Sequence, residues 1–139
     1  MKHMVRVVLL AVAVALVAGA CSNSKKDTAS ANASSPEDKR TSAAAVATGL
    51  KKIEATATDI AKSITTDKAR AKKLTGDIEP VWEGIEGTVK ANDQDSYITF
   101  EDNFAVLEKA AEDGDATKAQ QGADAVSKAV SSYLAKYPG

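Results

Sequence analysis

The chain has 139 residues, with 18 lysines and arginines against 19 acidic residues, one histidine and one cysteine. This length suits a single domain of ordinary size. A formal net charge of -1 makes neither nucleic acid nor acidic lipid an obvious partner on bulk charge, so we expect no nucleic-acid binding.

Residues 1–20 have the pattern of a lipoprotein signal peptide. Lys2 and Arg6 make the start basic, 14 uncharged residues follow, and Cys21 comes directly after Ala18-Gly19-Ala20. A cysteine at this place receives a diacylglycerol anchor after cleavage. The apolar run is too short for a membrane span, which needs about 20 residues, whereas an ordinary secretory signal is the nearer alternative. We therefore expect lipidation at Cys21 and a cell-envelope protein anchored on the extracytoplasmic face of the membrane.

Cleavage before Cys21 would also remove His3, the single histidine. The mature chain, residues 21–139, would then hold no imidazole and no free thiol. Ser-His-Asp and Cys-His catalysis, thiolate metal sites and histidine-bound zinc are excluded from such a chain. We expect no enzyme, because carboxylate catalysis also needs a cleft that a small bundle has little surface to build. Any metal-binding site in the mature chain must then use oxygen ligands.

The segment after the anchor is expected to be a tether. Residues 22–41 contain no large apolar side chain, so they cannot offset the entropy lost on ordering. A flexible coil of this length reaches roughly 25 Å. The predicted organisation is a signal peptide at 1–20, a lipidated and disordered tether at 21–41, and a helical domain at 42–139.

The first predicted helix of that domain has one apolar stripe. Its members are spaced alternately by four and three residues, the pattern of an amphipathic helix: Val46, Leu50, Ile53, Ala57, Ile60 and Ile64. Thr65-Thr66-Asp67 is expected to end this helix, with Asp67 as the N-cap of the next.

The second predicted helix, running to about residue 91, is interrupted by Pro80. Its apolar face consists of Leu74, Ile78, Trp82, Ile85 and Val89. Proline lacks an amide proton and clashes with the preceding turn. Either the helix kinks near Gly76-Asp77, or a new helix starts there with Asp77 as its cap.

Two further helices complete the predicted domain. The third, from about Gln94 to Asp113, ends at Gly114 as a C-cap, and Asp115 caps the last one. Four helices of about 20 residues with short links predict an all-α, up-and-down four-helix bundle. Three long helices are the alternative, if residues 67–91 merely continue the first helix.

The middle of the domain is strongly acidic, since residues 77–115 hold 12 acidic and 2 basic side chains. Glutamates border the apolar stripes of the second and third helices, and Asp102 points further outward. If these margins face one another, the carboxylates converge, and carboxylate oxygens suit ferric iron, Ca²⁺, Mn²⁺ or Mg²⁺. The alternative is that they are solvated or lysine-paired flanks of a bundle seam. The candidate metal ligands are Glu79, Glu83, Glu86, Glu101, Asp102 and Glu108.

The run Asp77-Ile78-Glu79-Pro80-Val81-Trp82-Glu83-Gly84-Ile85-Glu86, followed by Asp93-Gln94-Asp95-Ser96-Tyr97 and Glu101-Asp102, resembles segments of extracytoplasmic iron-uptake proteins. These are the imelysin-like lipoproteins and the extracytoplasmic helical domain attached to some iron permeases. Imelysin-like proteins also carry a His-x-x-Glu motif, which the expected mature chain lacks. The resemblance therefore implies a role in iron uptake and an acidic ligand set, with Glu108 added from helical geometry.

Two functional hypotheses follow from these observations. The first is a membrane-anchored cation-binding accessory of metal uptake, delivering iron to a permease. The second is a structural or adaptor lipoprotein that binds another envelope protein through a helical face. Gly84 and Gly87 favour the second, because glycine weakens a helix by about 1 kcal/mol unless a close neighbour needs the space.

Overall fold

A computed structural model describes residues 40–139, and this part of the chain is all-α. No strand occurs within it, and none of its helices has the length and apolar character needed to cross a membrane. The predicted signal peptide, Cys21 and the tether up to residue 39 lie outside the described residues. The helices are α1 (Ala43–Ser63), α2 (Lys68–Gly76), α3 (Glu79–Glu83), α4 (Glu86–Asn92), α5 (Gln94–Asp113) and α6 (Ala116–Lys136).

Side chains cap the N-termini of four of the six described helices, α1, α2, α5 and α6. Asp67 and Asp115 each accept a hydrogen bond from the amide three residues on, which confirms both predicted N-caps. Asp93 does the same for α5, accepting from the Ser96 amide. Gly114 ends α5 with a φ of 77°, a left-handed conformation that glycine adopts without a Cβ penalty, as predicted.

The predicted second helix is broken into three segments. α2 ends at Gly76 with Asp77 as its C-cap, and Pro80 sits in the first turn of α3, where its missing amide proton costs no helical bond. Of the two predicted alternatives, a kink or a new helix, the structure has a new helix. Asp77 does not cap it, since Ile78 precedes α3 and no side chain caps that end. A second break comes at Ile85, whose φ of -129° leaves the helical region.

Residues before α1 contact this second break. The Thr41 hydroxyl donates to the Gly84 carbonyl at 2.7 Å, and the Thr41 amide donates to the Thr88 hydroxyl at 2.8 Å. Thr88 is buried in the interior of α4. These bonds satisfy polar groups at the break and hold the start of α1 against the α3–α4 junction.

The helices surround one apolar core. α6 packs against α1 and α5, α2 packs against α1 and α5, α3 lies on α1, and α4 lies on α5. Gly49 of α1 permits the approach to the α3–α4 junction, because a Cβ there would lie 3.0 Å from the Ile85 Cδ1. The residues of the first two predicted apolar stripes are buried except Leu74, which is partly buried. Four further residues that pack on the core from α5, α6 and the C-terminus are also only partly buried: Tyr97, Phe104, Leu134 and Tyr137.

Candidate functional site

An acidic cleft of about 490 Å³ opens between α2, α3 and α5. α2 contributes Lys72 and Thr75, and the first residue of α3 contributes Glu79. The α5 wall carries three glutamates and an aromatic ring: Glu101, Phe104, Glu108 and Glu112. The cleft therefore combines four carboxylates with one lysine. The expectation that a bundle of this size has little surface to build a cleft is wrong.

Helical periodicity explains why the α5 glutamates share the cleft. At 100° per residue, Glu108 and Glu112 each lie within about 20° of Glu101 around the helix axis. Asp102 is displaced from Glu101 by about 100° on the same basis. The three glutamates thus form a stripe along α5, and Asp102 faces another direction.

Trp82 ties α3 to this stripe. Its indole is 2% exposed and packs against Tyr97, Phe100 and Phe104, with centroid separations of 5.9, 5.3 and 5.3 Å. Its Nε1–H donates a hydrogen bond to Oε1 of Glu101. One oxygen of Glu101 is therefore held by a buried donor on α3, and that bond fixes where the carboxylate enters the cleft.

The carboxylates around the cleft interact with one another. Burial raises the pKa of Glu79, and the negative charges of Glu83, Glu101, Glu86 and Glu108 raise it further, in that order. Burial also raises the pKa of Tyr97, with added contributions from Glu101, Glu86 and Glu79. Four glutamates on α3, α4 and α5 thus lie close enough to Glu79 to disfavour its charged form.

Lysines within residues 40–139 do not neutralise these glutamates by ion pairing. The three pairs in that range are Lys109–Asp113, Lys118–Asp115 and Lys136–Asp93, and none includes a cleft residue. Lys72 lines the cleft without reaching ion-pair distance. The lysine-paired form of the bundle-seam alternative is therefore not seen at this site. Its solvated form is seen, because Glu79, Glu101, Glu108 and Glu112 are all exposed.

The structure separates the six predicted site residues into three groups. Glu79, Glu101 and Glu108 line the cleft, and Glu83 and Glu86 lie beside it, near enough to act on Glu79. Asp102 is exposed and does not line the cleft. Glu112, Lys72 and Thr75 were not predicted. The signal for Glu112 was its spacing of four residues from Glu108.

The described residues contain no compact metal centre. Within residues 40–139, no three or more histidine, cysteine or acidic side chains converge closely enough to hold an ion together. Carboxylate oxygens suit hard cations, and such cations keep part of their water shell when few protein ligands reach them. The convergence of carboxylates expected if the two helix margins face one another is not seen in the part of the chain that the structure describes.

Comparisons with protein-family models, with curated proteins and with solved structures returned no match for this chain. The resemblance to iron-uptake proteins therefore stays a prediction from residues 77–102. The chemistry of the cleft is argued from its own side chains.

Proposed function

We propose that the protein is a lipid-anchored extracytoplasmic lipoprotein whose acidic cleft binds hard cations, as an accessory of metal uptake. The basic start, apolar run and Cys21 support export and lipidation. The short links and the packing of α6 against α1 and α5 support an up-and-down four-helix bundle, in which α2, α3 and α4 together take the place of one helix.

One observation carries the cation-binding proposal: the glutamates at the cleft raise the pKa of Glu79 and lack ion pairs within residues 40–139. Like charges held together destabilise a fold. A cation in the cleft relieves that repulsion and is bound more tightly because of it.

The chemistry of the donors restricts the cation. Carboxylate oxygens favour ferric iron, Ca²⁺, Mn²⁺ or Mg²⁺ over zinc or copper. Glu79, Glu101 and Glu108 line the cleft and would attract the cation largely through its water shell, because no three of these carboxylates converge on one point. If the bound cation is iron, the partner would be an iron permease or another envelope protein. The predicted tether would let the anchored domain reach that partner.

A fluorescence titration tests this proposal with a chain that starts at residue 40. Such a chain retains every described helix and every buried core residue, so we expect it to fold. Trp82 is the single tryptophan and is bonded to Glu101, so ferric iron or Mn²⁺ in the cleft should quench its emission. Glu79→Gln and Glu108→Gln should weaken the response, whereas Asp102→Asn should leave it unchanged. No response up to millimolar metal would refute cation binding.

A second candidate function is an adaptor that binds an envelope protein through α4. No other side chain lies within 4 Å of the Cβ position of Gly87, so nothing within residues 40–139 explains a glycine there. Gly76 on α2 also faces open space and provides a matched control. If the adaptor function is correct, Gly87→Ala should remove a crosslinked partner from envelope fractions and Gly76→Ala should not. Equal crosslinking of both variants would argue against this face.

A further inference from the structure

We propose that the outer side of α1 and α2 docks on an anionic phospholipid surface. This basic face consists of Lys51, Lys52, Lys62, Arg70 and Lys73. All five side chains are exposed, and within residues 40–139 none of them takes part in an ion pair. Five solvated cations on two neighbouring helices form an electrostatic surface that fits an anionic partner.

Helical geometry places most of these cations away from the core. At 100° per residue, Lys51 and Lys62 lie about 150° around α1 from its buried stripe. Lys73 lies about 160° around α2 from Ala71, which is fully buried. Their ammonium groups therefore lie where a flat surface can reach them.

The acidic residues of α1 and α2 compensate little of this charge. Residues 43–76 contain seven basic and three acidic side chains. Glu54 accepts a hydrogen bond from the Ser127 hydroxyl on α6, and Asp67 accepts one from the Arg70 amide as an N-cap. Asp59 on α1 and Asp77 at the end of α2 are the exposed carboxylates left beside the basic face.

The remaining cations of α2 face α5 and do not belong to the basic face. Lys72 lines the acidic cleft, and the charge of Lys68 contributes to the lowered pKa of Asp113. The Lys68 Nζ also lies 3.1 Å from the Cβ position of Gly114 at the end of α5. α2 thus separates two electrostatic surfaces, a basic one with α1 and an acidic one with α5.

The shape and position of the basic face favour a membrane over an acidic protein as the partner. The basic face spreads over two helices, and a lipid surface offers anions at every position without needing a groove. If residues 22–41 form the predicted tether, its reach of roughly 25 Å and the proposed lipid anchor keep the domain beside that surface. Docking through α1 and α2 would keep the net charge of -10 on residues 77–115 away from the anionic headgroups.

This inference rests on the proposed lipid anchor, which would place the domain beside a membrane. It does not depend on cation binding in the cleft. It can be tested with the unlipidated chain from residue 40, sedimented with vesicles of phosphatidylcholine alone or mixed with phosphatidylglycerol. Each surface lysine contributes about 1 kcal/mol near an anionic membrane, so each neutralised charge should weaken binding about fivefold. Lys62→Gln and Lys73→Gln should show this loss, and Lys128→Gln, an exposed cation on α6, should not.

Binding only to the anionic vesicles, weakened by salt and by the two face variants, would support the proposal. An equal loss in Lys128→Gln would overturn it, because binding would then follow net charge and not this face. A chain that stays in the supernatant with anionic vesicles at low salt would also overturn it, and an acidic protein would become the partner class to seek. Circular dichroism of each variant checks that the helices are intact.

Discussion

Replacing Glu79 by Gln should stabilise the protein at neutral pH, although it removes a charged surface residue. Glu79 lies within reach of four other carboxylates, and its pKa is raised by burial and by their charges. A raised pKa means that the fold disfavours the ionised side chain. Glutamine keeps the shape and the hydrogen-bonding capacity and removes the charge.

The expected gain is small but measurable. A like-charge pair one helical turn apart, as Glu79 and Glu83 are, costs about 0.2–0.5 kcal/mol. The glutamates of α4 and α5 add to this cost, while solvent screening of the exposed Glu79 side chain reduces it. We expect a gain of about 0.5 kcal/mol, which corresponds to a rise in Tm of about 2–4 °C for a domain of this size.

Thermal denaturation followed by circular dichroism measures this gain. Because the folded-state pKa of Glu79 is raised, its ionisation lowers stability as the pH rises through that pKa, and the difference between variant and wild type should vanish in acid. High salt should shrink the difference as well. Asp102→Asn removes one negative charge outside the cleft and should give a smaller change. A Glu79→Gln protein that melts at or below the wild-type temperature at pH 7 and low salt would refute the reasoning.

Three further predictions concern other parts of the domain. Gly87→Ala should raise the free energy of unfolding by about 0.5–1 kcal/mol, measured in urea, because α4 has space for the methyl group. Trp82→Phe should lower it by about 1.5–3 kcal/mol, because the charge-assisted bond to Glu101 is lost from a buried ring. The pKa of Asp93 is lowered from 3.8 to about 2, mainly by its hydrogen bond with Lys136. The stability that the ionised Asp93 contributes should therefore be lost as the pH falls from about 4 to 2. In Asp93→Asn, the free energy of unfolding should change less with pH over this range.

The long helices and their ends were predictable because their signals are local. Apolar residues spaced by three and four predict α1 and its buried face, and Asp67, Gly114 and Asp115 act on amides or carbonyls within a few residues. The all-α class follows from these elements together. Such signals depend on the nearest turn of the chain and not on the tertiary fold.

The second break in the predicted second helix depends on distant residues. Thr41 contacts Gly84 and Thr88, more than 40 positions away. Gly84 and Gly87 on either side of Ile85 weaken the helix locally, but they do not fix Ile85 as the residue where it stops. The cleft also depends on contacts between residues far apart in the sequence. Seven-residue spacing brought Glu101 and Glu108 to one side of α5, but the arrival of Lys72 from α2 depends on how the helices pack.

The central claim is that the acidic cleft binds a hard cation, and isothermal titration calorimetry with Mn²⁺ tests it most directly. We predict saturable binding of one ion to the chain from residue 40, weakened at least tenfold in the Glu79→Gln/Glu108→Gln double variant and unchanged in Asp102→Asn. A tenfold loss corresponds to about 1.4 kcal/mol of binding free energy. Heats no larger than those of dilution at millimolar Mn²⁺, or equal binding by the double variant, would contradict the claim.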